Sequence, residues 1–282
     1  MTLEIRPHGH VGAEILGVDL ARPGAADLAQ IRAAFAQYGV VFFRDQAIDE
    51  QQHIAFARTI GPIVINRFFA AHPRYPEIAL VLKEPDQRDN IGGGWHTDHS
   101  YDAEPALGSV LVARELPASG GATAFGSMVA AYEGLPDDLR ARVDGARAVH
   151  SARHVFGSKP TAYEATRETR RDGRIGNAAA ADVLDDVVHP VVITHPLSGK
   201  RALYVNPGFT TAIVGLEPEP SRQLLAELYA HALNPRFQTV FEWRPGSIAL
   251  WDNRATWHYA HNDYHGQRRE MHRITIAGEA LH

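Results

Sequence analysis

The sequence predicts a mainly β protein with flanking helices, a double-stranded β-helix of the jelly-roll or cupin kind. Two observations predict it. From about residue 109 onward the chain is a succession of short apolar, β-branched runs separated by turn residues, whereas amphipathic helical spacing is concentrated near the start. Second, His96-Thr97-Asp98 is followed far downstream by His258, a set that could ligate a metal, and barrels of this kind hold metals inside the mouth.

Taken in order, Leu28, Ile31, Phe35 and Tyr38 fall at helical spacing, so Ala26–Tyr38 is read as a helix and Val40–Phe43 as a short buried strand. Asp49 stands as an N-cap with Gln52 three residues on and Gly61 at the far end, marking a second helix over Asp49–Ile60. Ser109–Ala113, Val191–Thr194 and Ala202–Val205 read as strands, the last two joined by a Leu197-Ser198-Gly199-Lys200 turn. Ser221–Ala232, with Leu224, Leu225 and Leu228, reads as a helix between strands. Thr239–Trp243, a Pro245-Gly246 turn, Ser247–Trp251 and Arg273–Ala277 complete the β region. The chain is read as one domain over residues 1–282. Residues 157–188, polar and weakly periodic, read as either a lid or an ordinary surface insertion.

Composition narrows the chemistry. With 282 residues, 45% of them hydrophobic, the chain can bury a large core. Its net charge of -5, without long blocks of one sign, points away from nucleic acid and from a polybasic membrane anchor. The start lacks the apolar stretch of a signal peptide, and no run approaches the roughly 20 apolar residues of a membrane span, so the expected location is cytoplasmic. The absence of cysteine excludes disulfides, Fe–S clusters and thiolate zinc sites, leaving histidine and carboxylate as metal ligands.

In an extended segment His96 and Asp98 share a face. Two imidazoles and one carboxylate leave other metal positions open, the facial arrangement of oxygen-activating non-haem Fe(II) sites. A second pair, His261/Asp263, has no third ligand on a distant strand, and Asn262-Asp263 reads as a turn, so it is set aside as a decoy. Gly92-Gly93-Gly94 gives close backbone approach ahead of His96, and Trp95 reads as packing. Arg269 and Arg273, four apart, share a strand face if the strand begins early enough. Two inward arginines call for anions to pair with them; the alternative reading is a solvated Arg268-Arg269-Glu270 cluster at a strand end.

These residues carry a resemblance. Gly17-Val18-Asp19-Leu20, Val41-Phe42-Phe43-Arg44-Asp45-Gln46, Trp95-His96-Thr97-Asp98, Gly120-Gly121-Ala122-Thr123, Val205-Asn206, Trp251-Asp252-Asn253-Arg254 and Gln267-Arg268-Arg269 through His272-Arg273 resemble the TauD/TfdA family over nearly the whole length. The resemblance implies a dioxygenase dependent on Fe(II) and 2-oxoglutarate that hydroxylates a small anionic organic substrate, in some cases cleaving it, with release of succinate and CO2. It implies His96, Asp98 and His258 as iron ligands, Arg269 and Thr123 as partners of 2-oxoglutarate, and Arg273 as the contact to the substrate's anionic head. It places Phe156 and Phe209 in the substrate pocket; Tyr101, His99 and Asn66 are read from the residues either as pocket lining or as ordinary packing or rim. It further implies O2 as co-substrate, ascorbate as a stimulant and a homo-oligomer, dimer or tetramer. Taurine-type members have histidine where Asn66 aligns and asparagine about where Gly92 stands, so taurine is not the expected substrate. Val149-His150-Ser151 and Val155-Phe156-Gly157 resemble members acting on aryloxyalkanoates or other organic acids. Two rival readings are another cupin-type metalloenzyme (isomerase or hydrolase) using the same ligands, and a non-catalytic binding barrel. Neither calls for Thr123 and Arg269 beside the ligands.

Overall fold

The computed structural model describes residues 2–158 and 172–281. Seventeen strands follow in chain order: Glu4–Pro7 (β1), Ala13–Leu16 (β2), Val40–Phe43 (β3), Ile63–Val64 (β4), Ala71–His72 (β5), Tyr75–Lys83 (β6), Gly108–Glu115 (β7), Thr123–Ser127 (β8), Arg147–His150 (β9), Val187–Pro190 (β10), Val192–Thr194 (β11), Arg201–Leu203 (β12), Thr210–Ile213 (β13), Gln238–Phe241 (β14), Ile248–Asp252 (β15), Thr256–Ala260 (β16) and Arg269–Ile276 (β17). The large sheet runs β1-β2-β3-β15-β7-β17-β6-β5, with β4 paired to β17. The sheet β14-β8-β16 faces it, and a sheet β10-β9-β13 and a hairpin β11-β12 complete the strands. This is the expected double-stranded β-helix, cupin-like.

Period-two alternation divides the large sheet's side chains between two cores. On one face Val41, Phe43, Val110, Val112, Ile248, Leu250, Ile274 and Ile276 pack under the helices α1 (Ala25–Tyr38) and α2 (Glu50–Ile60), against Ile31, Phe35 and Phe56. On the other, Val40, Phe42, Leu111, Ala249, Trp251 and Met271 meet Phe125 and Phe241 of the smaller sheet. The Phe42 ring stacks on Phe241, with centroids 4.1 Å apart. Inner-face residues of β17 therefore point between the sheets, and Arg269 and Arg273 lie on that face with Met271.

The expected capping box on α2 is present: Asp49 Oδ1 accepts from the Gln52 N–H at 2.8 Å, and the Gln52 side chain accepts from the Asp49 N–H at 2.9 Å. The Leu197–Lys200 turn joins the antiparallel β11 and β12. Other expectations need correction. β17 begins at Arg269, four residues before the strand read from sequence, because it pairs with both β6 and β7 across its length. His258 lies within a strand, β16, over a stretch not read as a strand from sequence. The short connection after β15 moves the chain from the large sheet into the small one. It is held by Asp252, whose buried carboxylate accepts from Arg254 Nε at 3.0 Å, Arg254 Nη2 at 2.9 Å and His195 Nε2 at 3.0 Å. The Trp251-Asp252-Asn253-Arg254 motif is thus the corner that delivers β16.

The expectation of a lid or insertion at 157–188 falls partly on residues 159–171, outside the described residues. After them Ile175 bridges to Phe69, the Ala70 N–H donates to the Arg174 carbonyl, and Ala178–Asp182 forms a short helix packed on the helix Arg153–Phe156. Among the described residues no helix is long and apolar enough to cross a membrane.

Candidate active site

His96 and His258 face each other across an isolated antiparallel bridge. The His96 N–H donates to the His258 carbonyl at 3.1 Å and the His258 N–H returns the bond at 2.8 Å. Directly paired residues project to the same side of a sheet, which brings the two rings to 4.2 Å between centroids. The extended geometry expected through Asp98 does not continue: the chain leaves the bridge at His96 and Asp98 enters a turn. The turn still aims the carboxylate at the histidines, with His96 Nε2 at 3.6 Å from Oδ1 and His258 Nε2 at 3.6 Å from Oδ2. One ligand atom from each of the three residues lies within 4.8 Å of the others, the sole such cluster among the described residues. His261 and Asp263 are not part of it. The Asp263 carboxylate accepts from the Gly121 N–H at 2.7 Å, a loop contact.

The ring orientations and charges suit a divalent cation. His96 Nδ1 lies 2.7 Å from the Gly94 carbonyl, which only accepts, so Nδ1 is the donor there and Nε2 is the ring nitrogen turned toward Asp98. Burial pushes the His258 imidazole down to about 3, so it is neutral at pH 7. Burial alone would raise the Asp98 carboxyl, but Arg273 and then the two histidines hold it well below the usual carboxylate range. An anionic oxygen and two imidazole nitrogens, with no soft ligand, fit a borderline cation such as Fe(II).

Close approach is built into the backbone. A Cβ at Gly208 would lie 2.7 Å from His96 Cβ, and one at Gly93 would lie 2.6 Å from Asn90 Oδ1. The first of these sits in the Val205-Asn206 segment and was not singled out from the sequence. At Gly121, in the left-handed region at φ 70°, a Cβ would press on Arg269 Cδ and Nε at 3.2 Å.

A cavity opens beside the triad. Its walls include Phe69, Ile91, Phe156, Ile175 and Phe209, and its polar groups include Thr123, Arg269 and Arg273. Of the candidate substrate residues, Phe156, Phe209 and Arg273 line it. Asn66 and Tyr101 stand behind the wall: Asn66 Oδ1 accepts from the Phe68 and Phe69 N–H groups, turning the loop that presents Phe69. The Tyr101 ring is buried against Phe68, Phe156 and Phe209. The sequence reading passed over Asn90, whose Nδ2 donates to the Ala260 carbonyl at 3.0 Å and which lines the cavity close to where an asparagine was judged missing.

Two guanidiniums enter this space, Arg269 at 4% and Arg273 at 5% exposure, each with Nε and Nη2 buried and without a hydrogen-bond partner among the described residues. Arg273 Nη1 donates to Asp98 Oδ2 at 2.9 Å, and its guanidinium lies 4.5 Å from the centre of the Phe69 ring. Arg269 stands between the rings of Trp243 and Tyr264, 5.9 and 6.0 Å from their centres. Burial lowers its pKa, partly offset by Tyr264. The Thr123 hydroxyl accepts from Trp243 Nε1 at 2.9 Å, which leaves its own proton to donate. Buried cations with open donors are costly unless an anion completes them.

Comparison with known proteins gives the family. A model of the taurine catabolism dioxygenase TauD, TfdA family matches residues 4–275. An alpha-ketoglutarate-dependent sulfate ester dioxygenase of Pseudomonas putida is 35% identical over 99% of this chain and 91% of its own length. The (S)-phenoxypropionate/alpha-ketoglutarate-dioxygenase of Sphingobium herbicidovorans is 34% identical over 95% and 92%. Among solved structures, a taurine dioxygenase from Burkholderia xenovorans superposes with a TM-score of 0.81 at 35% identity, covering 100% of this chain and 91% of that one. AAD-2 in complex with Mn(II) and N-oxalylglycine superposes with a TM-score of 0.78 at 27% identity, covering 100% and 99%. With the family match spanning almost the whole sequence and relatives above 30% identity aligned end to end, the chain belongs to the TauD/TfdA family of 2-oxoglutarate-dependent dioxygenases.

Proposed function

We propose that His96, Asp98 and His258 hold Fe(II), that Arg269 and Thr123 hold the distal carboxylate of 2-oxoglutarate, and that Arg273 receives the anionic head of a small organic substrate whose tail is apolar. The observation that carries this reading is one cavity containing three convergent ligand atoms and two buried guanidiniums with open donors. When bound, Fe(II) and 2-oxoglutarate supply the oxidation: O2 and 2-oxoglutarate become succinate and CO2, and one oxygen atom is delivered to a substrate C–H bond. If that carbon also bears a heteroatom, the hydroxylated product breaks down and the bond to the heteroatom is cleaved.

The protein's part is orientation and exclusion. Arg269 offers a planar fork to a carboxylate, with the rings of Trp243 and Tyr264 about it at 5.9 and 6.0 Å. The Thr123 hydroxyl, fixed by Trp243, adds a donor from a second strand, so the co-substrate is held in one register. Arg273 has donors left after its bond to Asp98, so an anion bound there sits next to the metal ligands. Among the described lining residues the one carboxylate is Asp98, taken by this reading as a metal ligand, while Phe69, Ile91, Val155, Phe156, Ile175 and Phe209 form an aromatic and aliphatic wall. This favours a monoanion with an apolar tail over a zwitterion such as taurine. Relatives named for sulfate esters and for phenoxypropionate, and a neighbour holding Mn(II) with N-oxalylglycine, support the same reading.

The test is anaerobic addition of Fe(II) and 2-oxoglutarate followed by O2, alongside alkyl sulfates, aryloxy acids, sulfonates and amino acids, with succinate quantified. Stimulation by the apolar monoanions and not by taurine is expected. Equal stimulation by taurine would contradict the substrate assignment.

A further inference from the structure

Asp98 is followed by a residue in an unusual conformation. His99 has φ 61°, in the left-handed region that residues other than glycine adopt uncommonly, and it is 3% exposed. His99 Nδ1 lies 2.8 Å from Asp102 Oδ2, and the Asp102 N–H donates to the His99 carbonyl at 3.0 Å, closing the turn that follows Asp98. The other Asp102 oxygen, Oδ1, accepts from Arg67 Nη2. Arg67 belongs to the loop that supplies the cavity wall: its guanidinium lies 5.4 Å from the centre of the Phe68 ring, and the neighbouring Phe69 faces Arg273. The turn is also anchored from outside, where His189 Nε2 meets the Asp102 carbonyl at 3.0 Å and Asn206 Nδ2 donates to Ser100 Oγ at 2.9 Å.

We infer that Arg67, Asp102 and His99 form a latch that positions the Asp98 carboxylate and ties it to the substrate-wall loop at residues 66–69. None of the three lines the cavity, so all act as positioning residues, and the inference rests on the reading of Asp98 as a metal ligand. The charged Arg67–Asp102 bond joins two loops that otherwise come from separate parts of the chain. Asp102 in turn holds the His99 ring, and the His99 ring keeps the backbone after Asp98 in a conformation it would otherwise leave. Freeing the latch leaves the three metal ligands in place but lets the carboxylate explore other directions, which weakens the metal site without removing a ligand.

The test uses the full chain and Co(II) as the metal, titrated by its visible d–d absorption, with circular dichroism as the control for folding. Asp102→Ala and His99→Gly are expected to weaken Co(II) binding about tenfold; glycine permits the same backbone but does not enforce it. Arg67→Ala, at a half-exposed position that cannot carry the fold, is expected to weaken binding in the same direction. Combined with Asp102→Ala it should add little, because both remove one connection. Folded His99→Gly and Arg67→Ala proteins that bind Co(II) as tightly as the wild type would overturn the latch. If Asp102→Ala does not fold, Arg67→Ala alone decides, by the same criterion. Failure of the wild-type protein itself to bind Co(II) would overturn the metal-site reading, and the latch with it.

Discussion

Arg269 and Arg273 are the residues on which the cavity's chemistry turns, because both are buried with donors that no described residue answers. Replacing Arg269 with Lys exchanges a planar fork for a point charge. Loss of one charge-assisted bond of about 1.5–3 kcal/mol predicts a KM for 2-oxoglutarate raised about tenfold to a hundredfold, with kcat less affected. An unchanged KM in initial-rate assays would remove Arg269 from that role. Asp98→Ala and His258→Ala remove ligands outright, so metal affinity should fall by more than the roughly 10–100-fold seen when only a supporting partner is lost, and succinate production should cease. At this scale much was legible from sequence. His96, Asp98, Thr123, His258, Arg269 and Arg273 all meet in one cavity. The supporting groups were not legible. Trp243, Tyr264, Asn90 and Gly208 gain meaning only from neighbours far along the chain, and nothing in their local pattern sets them apart from ordinary packing or turn residues.

The strands that carry these residues are set by packing on two sides. Phe42 is fully buried, stacked on Phe241 and edge-on to Phe125, and binds the large sheet to the small one. Phe42→Ala should destabilise the fold by about 3–5 kcal/mol, read as a lowered urea midpoint. A shift corresponding to less than about 1 kcal/mol would mean the sheets are joined elsewhere. Two buried histidines impose a pH dependence on the same fold. Burial, then the nearby Arg114, pushes His53 from 6.5 to about 3, and burial, then His189, does the same to His150. The unfolded chain takes up protons at both positions below about 6.5, whereas the folded protein resists until about 3. Their contribution to stability is therefore whole above the unfolded pKa and declines as pH falls toward 3, by up to about 1.4 kcal/mol per pH unit for each group. Urea unfolding at pH 7 and pH 5 should show the loss, and a His53→Gln/His150→Gln protein should show a smaller difference between the two. An equal difference would place the acid sensitivity elsewhere. Helices α1 and α2 were readable because their spacing and the Asp49–Gln52 capping box are local. β16 was not, since Thr-Trp-His-Tyr-Ala lacks clean alternation and its register is fixed by β8 and by the His96 bridge.

For the molecule as a whole, the sandwich places β17, β16 and the His96–Asp98 turn around one opening, with the outer core under α1 and α2 supplying rigidity behind it. The architecture was legible from many short strands plus a metal motif. The order of strands in the sheets was not, because β15, β7 and β17 become neighbours only through long-range pairing. What the assembled cavity is built to hold is a metal and two anions side by side. The most direct measurement is the visible spectrum of the protein given Fe(II) and then 2-oxoglutarate without oxygen. A weak charge-transfer band that appears with 2-oxoglutarate in the wild type, is lost in Asp98→Ala and needs a higher 2-oxoglutarate concentration in Arg269→Lys is the predicted result. Iron bound with no band at saturating 2-oxoglutarate, or a band undiminished in Asp98→Ala, would contradict the account.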